Sequence, residues 1–299
     1  MAHGIAFRTL ARPSGQLRSR VGTVNDVHFG EVEAGRIDDR DEGPIMRAAP
    51  GEPPYPETMN RAAVDEMSAA RLDAVVVKGD LTTDGTDGEF AAFEACYRPL
   101  GDRLHVVRGN HDAYRGQDEY AGDRWVELPG IALALLDTAI PCETTGSISA
   151  EQIDWLDAGA DASTVPVIAM GHHQQWVAGE RNPAYFGLDP SSSDALTGTI
   201  ERQPALVAYA AGHTHRHRVR RLPSGVPSIE VGCVKDFPGT WAEYRVYDGG
   251  ILQIVHRISE PAALEWSERC RGLYADFGVD YSRYAMGRLD ERCFEIALR

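Results

Sequence analysis

The chain has 299 residues, of which 43% are hydrophobic and 25% are charged, and its formal net charge is −15. This composition is typical of a globular protein that forms one large domain, or one domain with a small appendage. The negative charge argues against general binding to nucleic acids or to anionic lipid surfaces. No apolar run approaches the roughly 18 residues needed to cross a bilayer.

The N-terminal segment carries four arginines and no acidic residue among its first twenty residues, but it lacks the apolar core of a signal peptide. We therefore expect a loose or strand-like N-terminus and a cytoplasmic protein. The five cysteines are odd in number, widely scattered and never paired as CxxC. They agree with a reducing compartment, and none of them is a convincing zinc ligand.

Apolar runs alternate with helical patterns through the first two thirds of the chain, in an order that favours an α/β protein. Helices are predicted at residues 56–71 and at residues 86–97, and Ser149-Ala150-Glu151-Gln152 has the form of a capping box that opens a third helix. Strands are predicted at residues 21–24, 74–77, 104–107, 165–170 and 205–211.

After residue 215 the pattern changes to closely spaced strands, with a hairpin turn predicted at Asp248-Gly249-Gly250. The mixture predicts a layered α/β sandwich rather than a purely doubly wound sheet. From Pro261 onward the chain is predicted to be helical, as a tail packed over the sandwich, a dimer element or part of a pocket rim. The strands of this part are predicted at residues 219–222, 228–232, 244–247 and 251–258.

Five short blocks of histidine and aspartate stand at or just after the first five predicted strands. Residues two apart on a strand face the same side, so the first block can place Asp26 and His28 together, and the last can place His213 and His215 together. A carboxylate after Gly79 can bridge two metal ions, and the amide of Asn110 offers a neutral oxygen. In chain order the blocks are Asp26-Val27-His28, Gly79-Asp80, Gly109-Asn110-His111-Asp112, Gly171-His172-His173 and Gly212-His213-Thr214-His215.

Each block alone also has an ordinary explanation. An isolated Asp-x-His is usually a surface pair, and Gly-Asp is a common turn dipeptide. Gly-Asn-His-Asp is moderately specific, and Gly-His-Thr-His is compatible with a metal site or with none. All five in this order, each beside an apolar run, favour a common site. Oxygen and imidazole ligands gathered at strand ends can hold two metal ions of the kind that hydrolyse phosphate esters.

The blocks resemble the calcineurin-like metallophosphoesterase superfamily, whose pattern is D-x-H, GD, GNH[ED], GH or HH, and GHxH; the resemblance spans about two thirds of the chain. It implies an α/β fold, a four-layer α/β/β/α sandwich of two mixed sheets flanked by helices, with the blocks at one edge. We expect residues 1–260 to form this catalytic domain. Residues 261–299 would form a helical tail that packs on it or at a dimer interface.

The resemblance also implies the roles of the block residues. His111 would stay outside the metal ligands and stabilise or protonate the leaving oxygen, a role that in-line attack on phosphorus requires. Asp112 would orient His111 or a metal ligand, unless it only caps its loop. The first metal would be held by Asp26, His28, Asp80 and His215, and the second by Asp80, Asn110, His172 and His213.

Two further histidines are candidates for substrate binding. The family usually uses the first histidine of the fourth block, which favours His172 over His173 as the ligand, but an exchange stays open. Gln174 replaces the proline that often follows this pair, so the local loop shape is in doubt. His217 continues the alternation of the fifth block, although an ordinary polar role is the preferred interpretation.

Two long connections, residues 30–56 and 174–203, leave directly from the first and fourth blocks. Loops of this length are either functional or disordered, and we interpret both as walls of the substrate pocket. The aromatic residues Trp176, Tyr185 and Phe186 of the second loop could stack on a base or close a core.

Within the superfamily, the blocks look most like those of compact bacterial phosphodiesterases, including class III cyclic nucleotide phosphodiesterases. The resemblance implies hydrolysis of a small phosphodiester, with 3′,5′-cyclic AMP as the leading substrate. The nucleophile would be a hydroxide that bridges two metal ions, because coordination lowers the pKa of water from about 15.7 to about 7.

Other substrates and roles stay open. The alternatives are a glycerophosphodiesterase, a phosphomonoesterase or nucleotidase of the same fold, and a non-catalytic metal-binding scaffold. The ligand set suits iron, manganese or zinc, with two ions in each subunit. A homodimer is expected by analogy, and no nucleic acid or membrane partner is expected.

Overall fold

The computed structural model describes residues 9–37, 40–176 and 187–299. Within these residues no helix is both long enough and apolar enough to cross a membrane. In chain order the elements are β1 (Leu17–Val24), α1 (Tyr55–Ala69), β2 (Ala74–Lys78), α2 (Asp87–Tyr97), β3 (Leu104–Val107), β4 (Arg124–Leu128), β5 (Ile131–Leu135), α3 (Ala150–Ala162), β6 (Val167–Met170), α4 (Pro190–Arg202), β7 (Leu206–Ala211), β8 (Arg218–Arg221), β9 (Pro227–Glu230), β10 (Thr240–Tyr247), β11 (Gly250–Arg257), α5 (Pro261–Arg269), α6 (Tyr281–Met286), α7 (Leu289–Arg292) and β12 (Phe294–Ile296).

The strands form two mixed sheets of six strands each. The first has the order β12-β11-β10-β1-β2-β3, and the second has the order β4-β5-β6-β7-β9-β8. Strands β1, β2 and β3 run parallel to one another, as do β5, β6, β7 and β9, while the remaining neighbours are antiparallel. The parallel strands are buried on both faces, which explains why their sequences read as continuous apolar runs.

Three apolar clusters divide the molecule into four layers. On β2 the side chains alternate, so that Val75 and Val77 pack towards α1 and α2, whereas Ala74 and Val76 pack between the two sheets. A third cluster joins the second sheet to α3 and α4. The expected α/β/β/α sandwich of two mixed sheets flanked by helices is therefore confirmed.

The carboxyl ends of five central strands meet at one edge of this sandwich. Parallel pairing places the ends of β1, β2 and β3 side by side, and those of β6 and β7 likewise. All five strands were predicted from their apolar runs, with carboxyl ends within one residue of those observed, although β1 begins four residues earlier than predicted. Helices α1 and α2 and the capping box at Ser149 also agree with the sequence patterns.

The prediction of one long loop at residues 174–203 is wrong, because α4 occupies Pro190–Arg202. Pro190 opens this helix, and the side chain of Asp189 accepts hydrogen bonds from the backbone N–H groups of Ser191 and Ser192. Three consecutive serines favoured a loop in the sequence, but here they form the capped first turn. Tyr185 and Phe186 of the same connection lie outside the described residues.

The C-terminal segment is only partly helical. It carries α5, α6 and α7, as the sequence pattern predicts, but it ends in β12, which pairs with β11 and extends the first sheet. Helix α5 packs against α1 through Trp266, which stacks on Tyr55 with ring centroids 4.2 Å apart. Residues after Pro261 are thus bound into both the sheet and a helical layer.

The buried Glu243 carboxylate on β10 ties three strands of the first sheet together. It is 0% exposed and accepts hydrogen bonds at 2.6 Å from Arg20 Nε on β1 and at 2.9 Å from His256 Nε2 on β11. Arg245 Nε donates a third at 2.8 Å. Burial opposes the charge, but these hydrogen bonds outweigh it and hold the pKa of Glu243 well below its ordinary value.

We expect Glu243→Gln to lower the free energy of unfolding at pH 7 by about 1–3 kcal/mol, because the surrounding cations lose their buried counter-charge. A depressed pKa contributes stability above the unfolded value of about 4.5, and this contribution is lost as the pH falls. Urea unfolding measured from pH 7 to pH 3 should therefore show that the variant and the wild type differ less in free energy of unfolding as the pH falls. Glu265→Gln, at an exposed acid on α5, is the control. A difference in free energy of unfolding that does not change with pH would contradict the stabilising role of the Glu243 charge.

Candidate metal centre

The blocks end their strands in an unusual backbone conformation. Residues other than glycine rarely adopt positive φ angles, and each such position costs of the order of 1–3 kcal/mol. Strain of this kind persists where the surrounding structure imposes it, and it is found mainly at functional sites. Five of the block residues have it: Asp26 (56°), His28 (51°), Asp80 (52°), His213 (68°) and His215 (54°).

Two block glycines leave room that no other residue could provide. Gly79 has a φ of 86°, and a β-carbon there would overlap the ring of His172. A β-carbon on Gly109 would overlap the carboxylate and backbone nitrogen of Asp80. The second, third and fourth blocks are therefore packed directly on one another at the sandwich edge.

Asp80 lies at the centre of the cluster. Its Oδ2 atom is 3.4 Å from His28 Nε2 on one side and 3.3 Å from His172 Nε2 on the other. The carboxylate is 2% exposed, and its Oδ1 atom accepts a hydrogen bond from the backbone N–H of His111 at 3.1 Å. One carboxylate thus faces two separate groups of imidazoles.

On the first side of Asp80, the side chains of the first and fifth blocks converge. Asp26, His28 and His215 offer ligand atoms that all lie within 4.8 Å of one another. The His215 Nε2 atom is 3.6 Å from Asp26 Oδ1, and the same oxygen accepts the backbone N–H of His213 at 3.0 Å. This side therefore combines one carboxylate with two imidazoles, next to the shared Asp80.

On the second side, three blocks meet at His172. Its Nε2 atom lies 3.1 Å from Asn110 Oδ1 and 3.1 Å from His213 Nδ1. Its Nδ1–H donates to the backbone oxygen of Lys78 at 2.8 Å, which directs Nε2 into the cluster. Asn110 donates through Nδ2 to the hydroxyl of Tyr114 at 2.6 Å, so its amide oxygen also points inward.

The chemistry of these donors fits a pair of divalent or trivalent metal ions. Both ring nitrogens of His28 are buried without a hydrogen-bond partner among the described residues, which is costly for a polar group unless an ion binds it. Burial, aided by nearby His111, holds the pKa of His28 well below its ordinary value, so the ring is in its neutral, ligating form. Imidazole nitrogens with carboxylate and amide oxygens suit iron, manganese or zinc.

The Asp80 carboxylate favours a positive charge on the ring of His172. Burial opposes a charge on this ring, but the adjacent Asp80 carboxylate outweighs it and raises the pKa of His172 to about 9. Burial keeps the pKa of His213, on the other side of His172, well below its ordinary value. The Asp80 carboxylate thus affects the two imidazoles of this side differently.

His111 lies at the open edge of the cluster. Its Nδ1–H donates to the backbone oxygen of Thr83 at 2.7 Å, which fixes the ring and leaves Nε2 for other chemistry. The ring is only partly buried and packs between His28 and Tyr114, at centroid distances of 4.6 and 4.5 Å. A nitrogen of His111 also lies within 4.8 Å of ligand atoms on His28 and Asp80.

Asp112 does not orient His111, whose Nδ1 atom is bonded to Thr83 instead. Its buried carboxylate holds the loops of the second and third blocks together, as the loop-capping alternative has it. Burial and the nearby Asp80 raise the pKa of Asp112 to about 6. Its donors are Leu81 N (3.1 Å), Thr82 N (2.9 Å), Thr82 Oγ1 (2.7 Å) and Gly109 N (2.7 Å).

The two remaining histidine candidates are placed differently. His173 lies in the cluster, within 4.8 Å of His172 and His213, but its ring nitrogens contact Thr138 Oγ1 at 2.8 Å and Thr144 O at 3.2 Å. These contacts favour His172 as the residue that faces a metal.

His217 is not brought to the cluster. Its ring accepts the backbone N–H of Gly232 at 3.1 Å and contacts Thr240 Oγ1 at 3.2 Å, and among the described residues it joins no group that could share an ion. The ring of His217 is buried and joins the segment after β9 to the start of β10, which agrees with the ordinary polar role preferred from the sequence.

The sequence patterns missed several residues around the site. Cys233 and Asp236 form a further group with His215, with Cys233 Sγ 3.0 Å from Asp236 Oδ1. The C-terminal segment reaches the fifth block, where the hydroxyl of Tyr284 donates to the backbone oxygen of Thr214 at 2.9 Å. The connection after the first block contributes Glu31, whose carboxylate pairs with buried Lys235 at 2.5 Å. The contacts of these residues join segments that are distant in the sequence, so no local motif could find them.

Comparison with known proteins places this geometry in a family. Residues 19–217 match the family model of the calcineurin-like phosphoesterases. The 3′,5′-cyclic adenosine monophosphate phosphodiesterase CpdA of Pseudomonas aeruginosa is 26% identical over 184 residues, which cover 57% of this chain and 64% of that protein. The probable glycerophosphodiester phosphodiesterase GpdQ of Arcobacter nitrofigilis is 26% identical over 177 residues, covering 53% and 64%.

The fold has a solved counterpart as well. A dimetal phosphatase from Danio rerio superposes with a TM-score of 0.65 at 15% identity, covering 95% of this chain and 100% of that one. This likeness concerns the fold alone. The chain spans less than two thirds of the length of the curated relatives that it matches. Because the family model covers more than half of the sequence and the five blocks converge at one edge of the sandwich, the chain belongs to the calcineurin-like phosphoesterase family.

Proposed function

We propose that the protein hydrolyses a small phosphodiester with two metal ions held at the sandwich edge. The observation that carries this proposal is the position of the Asp80 carboxylate, whose Oδ2 atom lies 3.4 Å from His28 and 3.3 Å from His172. A carboxylate between two groups of ligands could join two ions into one centre. Membership of the phosphoesterase family supports the same chemistry.

The ligands divide between the two sides of Asp80. Asp26, His28 and His215 share the first side with it, and Asn110, His172 and His213 share the second. Each side thus combines oxygen and nitrogen donors, and the neutral amide of Asn110 keeps the second side from collecting too much negative charge. When bound, two ions would lower the pKa of water to about 7 and so supply a nucleophile at neutral pH.

His111 has the placement of a general acid. Its Nδ1–H is fixed by Thr83 O at 2.7 Å, so a proton carried on Nε2 faces the open edge beside His28. A phosphodiester whose phosphorus approaches the ions would place its leaving oxygen near this nitrogen. Donating that proton neutralises the alkoxide as the P–O bond breaks.

A 3′,5′-cyclic nucleotide, with cyclic AMP first, is the substrate that we propose. Relatives named as cyclic nucleotide phosphodiesterases support this choice, including one at 31% identity over 169 residues named as a dual specificity cAMP/cGMP enzyme. The relatives named GpdQ favour a glycerophosphodiester as the second candidate. Both are small diesters, and the net charge of −15 disfavours a long nucleic acid in their place.

The division of roles predicts different outcomes for Asp80→Ala and His111→Ala. The first variant should lose both metal ions together, because its carboxylate faces both sides of the site. The second should retain wild-type metal content while kcat falls about 10²- to 10⁴-fold, the usual contribution of a general acid. Elemental analysis of the purified proteins and steady-state rates give both quantities.

His105→Ala is the matched control, since His105 lies on β3 outside the cluster. It should keep wild-type metal content and turnover. Loss of one metal ion from the His111→Ala variant would show that His111 is a ligand, and retention of both ions by Asp80→Ala would contradict the shared carboxylate.

Substrate class can be tested with the protein reconstituted with Mn²⁺. We expect kcat/KM for bis(p-nitrophenyl) phosphate to exceed that for p-nitrophenyl phosphate, because a diester is the substrate class that we propose and the two compounds share one leaving group. In a panel of metabolites, cyclic AMP should be hydrolysed faster than glycerophosphodiesters. A strong preference for the monoester would contradict the diesterase proposal, and no hydrolysis by fully metallated protein would favour a scaffold.

A further inference from the structure

Lys78 is a buried basic residue that the hydrolytic chemistry does not use. It is the last residue of β2, it is 0% exposed, and it directly precedes Gly79 and Asp80. Side chains alternate along β2, so Lys78 lies on the same face as Ala74 and Val76, which pack between the two sheets. A lysine is rarely placed in such a core, because burying its amino group is costly unless partners compensate.

The amino group of Lys78 joins the two sheets at the edge that carries the blocks. Its Nζ atom donates to the backbone oxygen of Ala211 at 2.7 Å, at the end of β7 in the second sheet. Ala211 is followed directly by the fifth block, Gly212-His213-Thr214-His215. The side chain thus crosses the layer between the sheets and holds the strand end from which His213 departs.

A second contact runs from Lys78 to the first block. Nζ donates to Asn25 Oδ1 at 3.1 Å, and the Nδ2 atom of Asn25 donates to the Asp26 carboxylate and to Val231 O. Asn25 is 0% exposed, and its amide can make these bonds in only one orientation, because the oxygen must face the lysine and the nitrogen must face Asp26. Lys78 therefore sets the orientation of the group that holds Asp26.

The backbone of Lys78 completes a third connection. Its carbonyl oxygen accepts Nδ1–H of His172 at 2.8 Å, which fixes the tautomer of that ring. One residue is thus bonded to segments of the first, fourth and fifth blocks, and it is adjacent in sequence to the second.

We propose that Lys78 is a positioning residue that sets the distance between the two halves of the metal centre, acting on Asp26 through Asn25 and on His213 through Ala211. The inference rests on the proposed function, since it assumes that both halves bind metal. Both contacts are donor contacts that an ammonium or a neutral amine can make. The role therefore depends on geometry and not on the charge of the lysine.

The test is the affinity of the protein for Mn²⁺, measured by calorimetric titration of metal-free protein without substrate. Lys78→Met keeps the length of the side chain and removes both donor contacts. We expect its Mn²⁺ affinity to fall about 10- to 100-fold, the usual effect of losing a residue that orients metal ligands. At saturating Mn²⁺, kcat on bis(p-nitrophenyl) phosphate should fall with KM little changed.

Val76→Ala is the matched control, because Val76 is 0% exposed and lies on the same strand and face. It should lower the melting temperature and leave the Mn²⁺ affinity at the wild-type value, which separates positioning from general loss of stability. Wild-type Mn²⁺ affinity in folded Lys78→Met would overturn the inference. Equal losses of affinity in Val76→Ala and Lys78→Met would also overturn it.

Asn25→Ala provides a second route if Lys78→Met does not fold. It cuts the connection to Asp26 while the contact with Ala211 O remains. Its Mn²⁺ affinity should also fall, and a wild-type value would overturn the inference.

Where both variants fold, the double variant should lose less affinity than the sum of the single losses, because both act on one connection. Full additivity would contradict the route through Asn25. Absence of hydrolysis by metal-loaded wild type would refute the proposed function, whereas wild-type affinity in Lys78→Met with active wild type refutes only this inference.

Discussion

The structure of this protein depends on one buried negative charge, the carboxylate of Asp80, at the edge where two sheets meet. Burial disfavours the charge, but His172 and His111 stabilise it and hold the pKa of Asp80 well below its ordinary value. Asp80 follows β2 in the first sheet, whereas His172 follows β6 in the second. The buried charge of Asp80 in one sheet is therefore stabilised by His172 in the other. Any relative shift of the sheets would leave this carboxylate and several imidazoles without partners.

Local strain at this edge gives the ligands their directions. A strand that continued in extended geometry would send successive side chains to opposite faces. Just after β1, β2 and β7 this alternation ends, and the side chains of the blocks converge. The residues with positive φ angles there are Asp26, His28, Asp80, His213 and His215. Neighbouring contacts stabilise these conformations, among them the bonds of the Asp112 carboxylate to three backbone N–H groups.

The sequence predicts the fold and the members of the cluster because both depend on local patterns. Largely apolar strands followed by a glycine mark β2 and β7, and the strand ends fix the positions of the polar residues that come next. The helix at Pro190–Arg202 was missed because three consecutive serines are typical of loops. The cap at Asp189 is the feature that stabilises them as a first helical turn. Lys78 was missed for a different reason: its partners Asn25 and Ala211 are brought near only by pairing of β1 with β2 and packing of the two sheets.

The charge of the chain limits how an anionic substrate could be recognised. A net charge of −15 repels phosphate at long range, but at physiological ionic strength exposed charges are screened beyond about 8 Å. Attraction must therefore come from groups that touch the phosphate, which at this edge are the proposed ions and His111. In the proposed mechanism these groups would contact only the phosphate and its leaving oxygen, which all small phosphodiesters share. The choice among diesters would then depend on the segments around the blocks, such as the connection after the first block, where Glu31 pairs with Lys235, and the C-terminal segment, where Tyr284 bonds to Thr214.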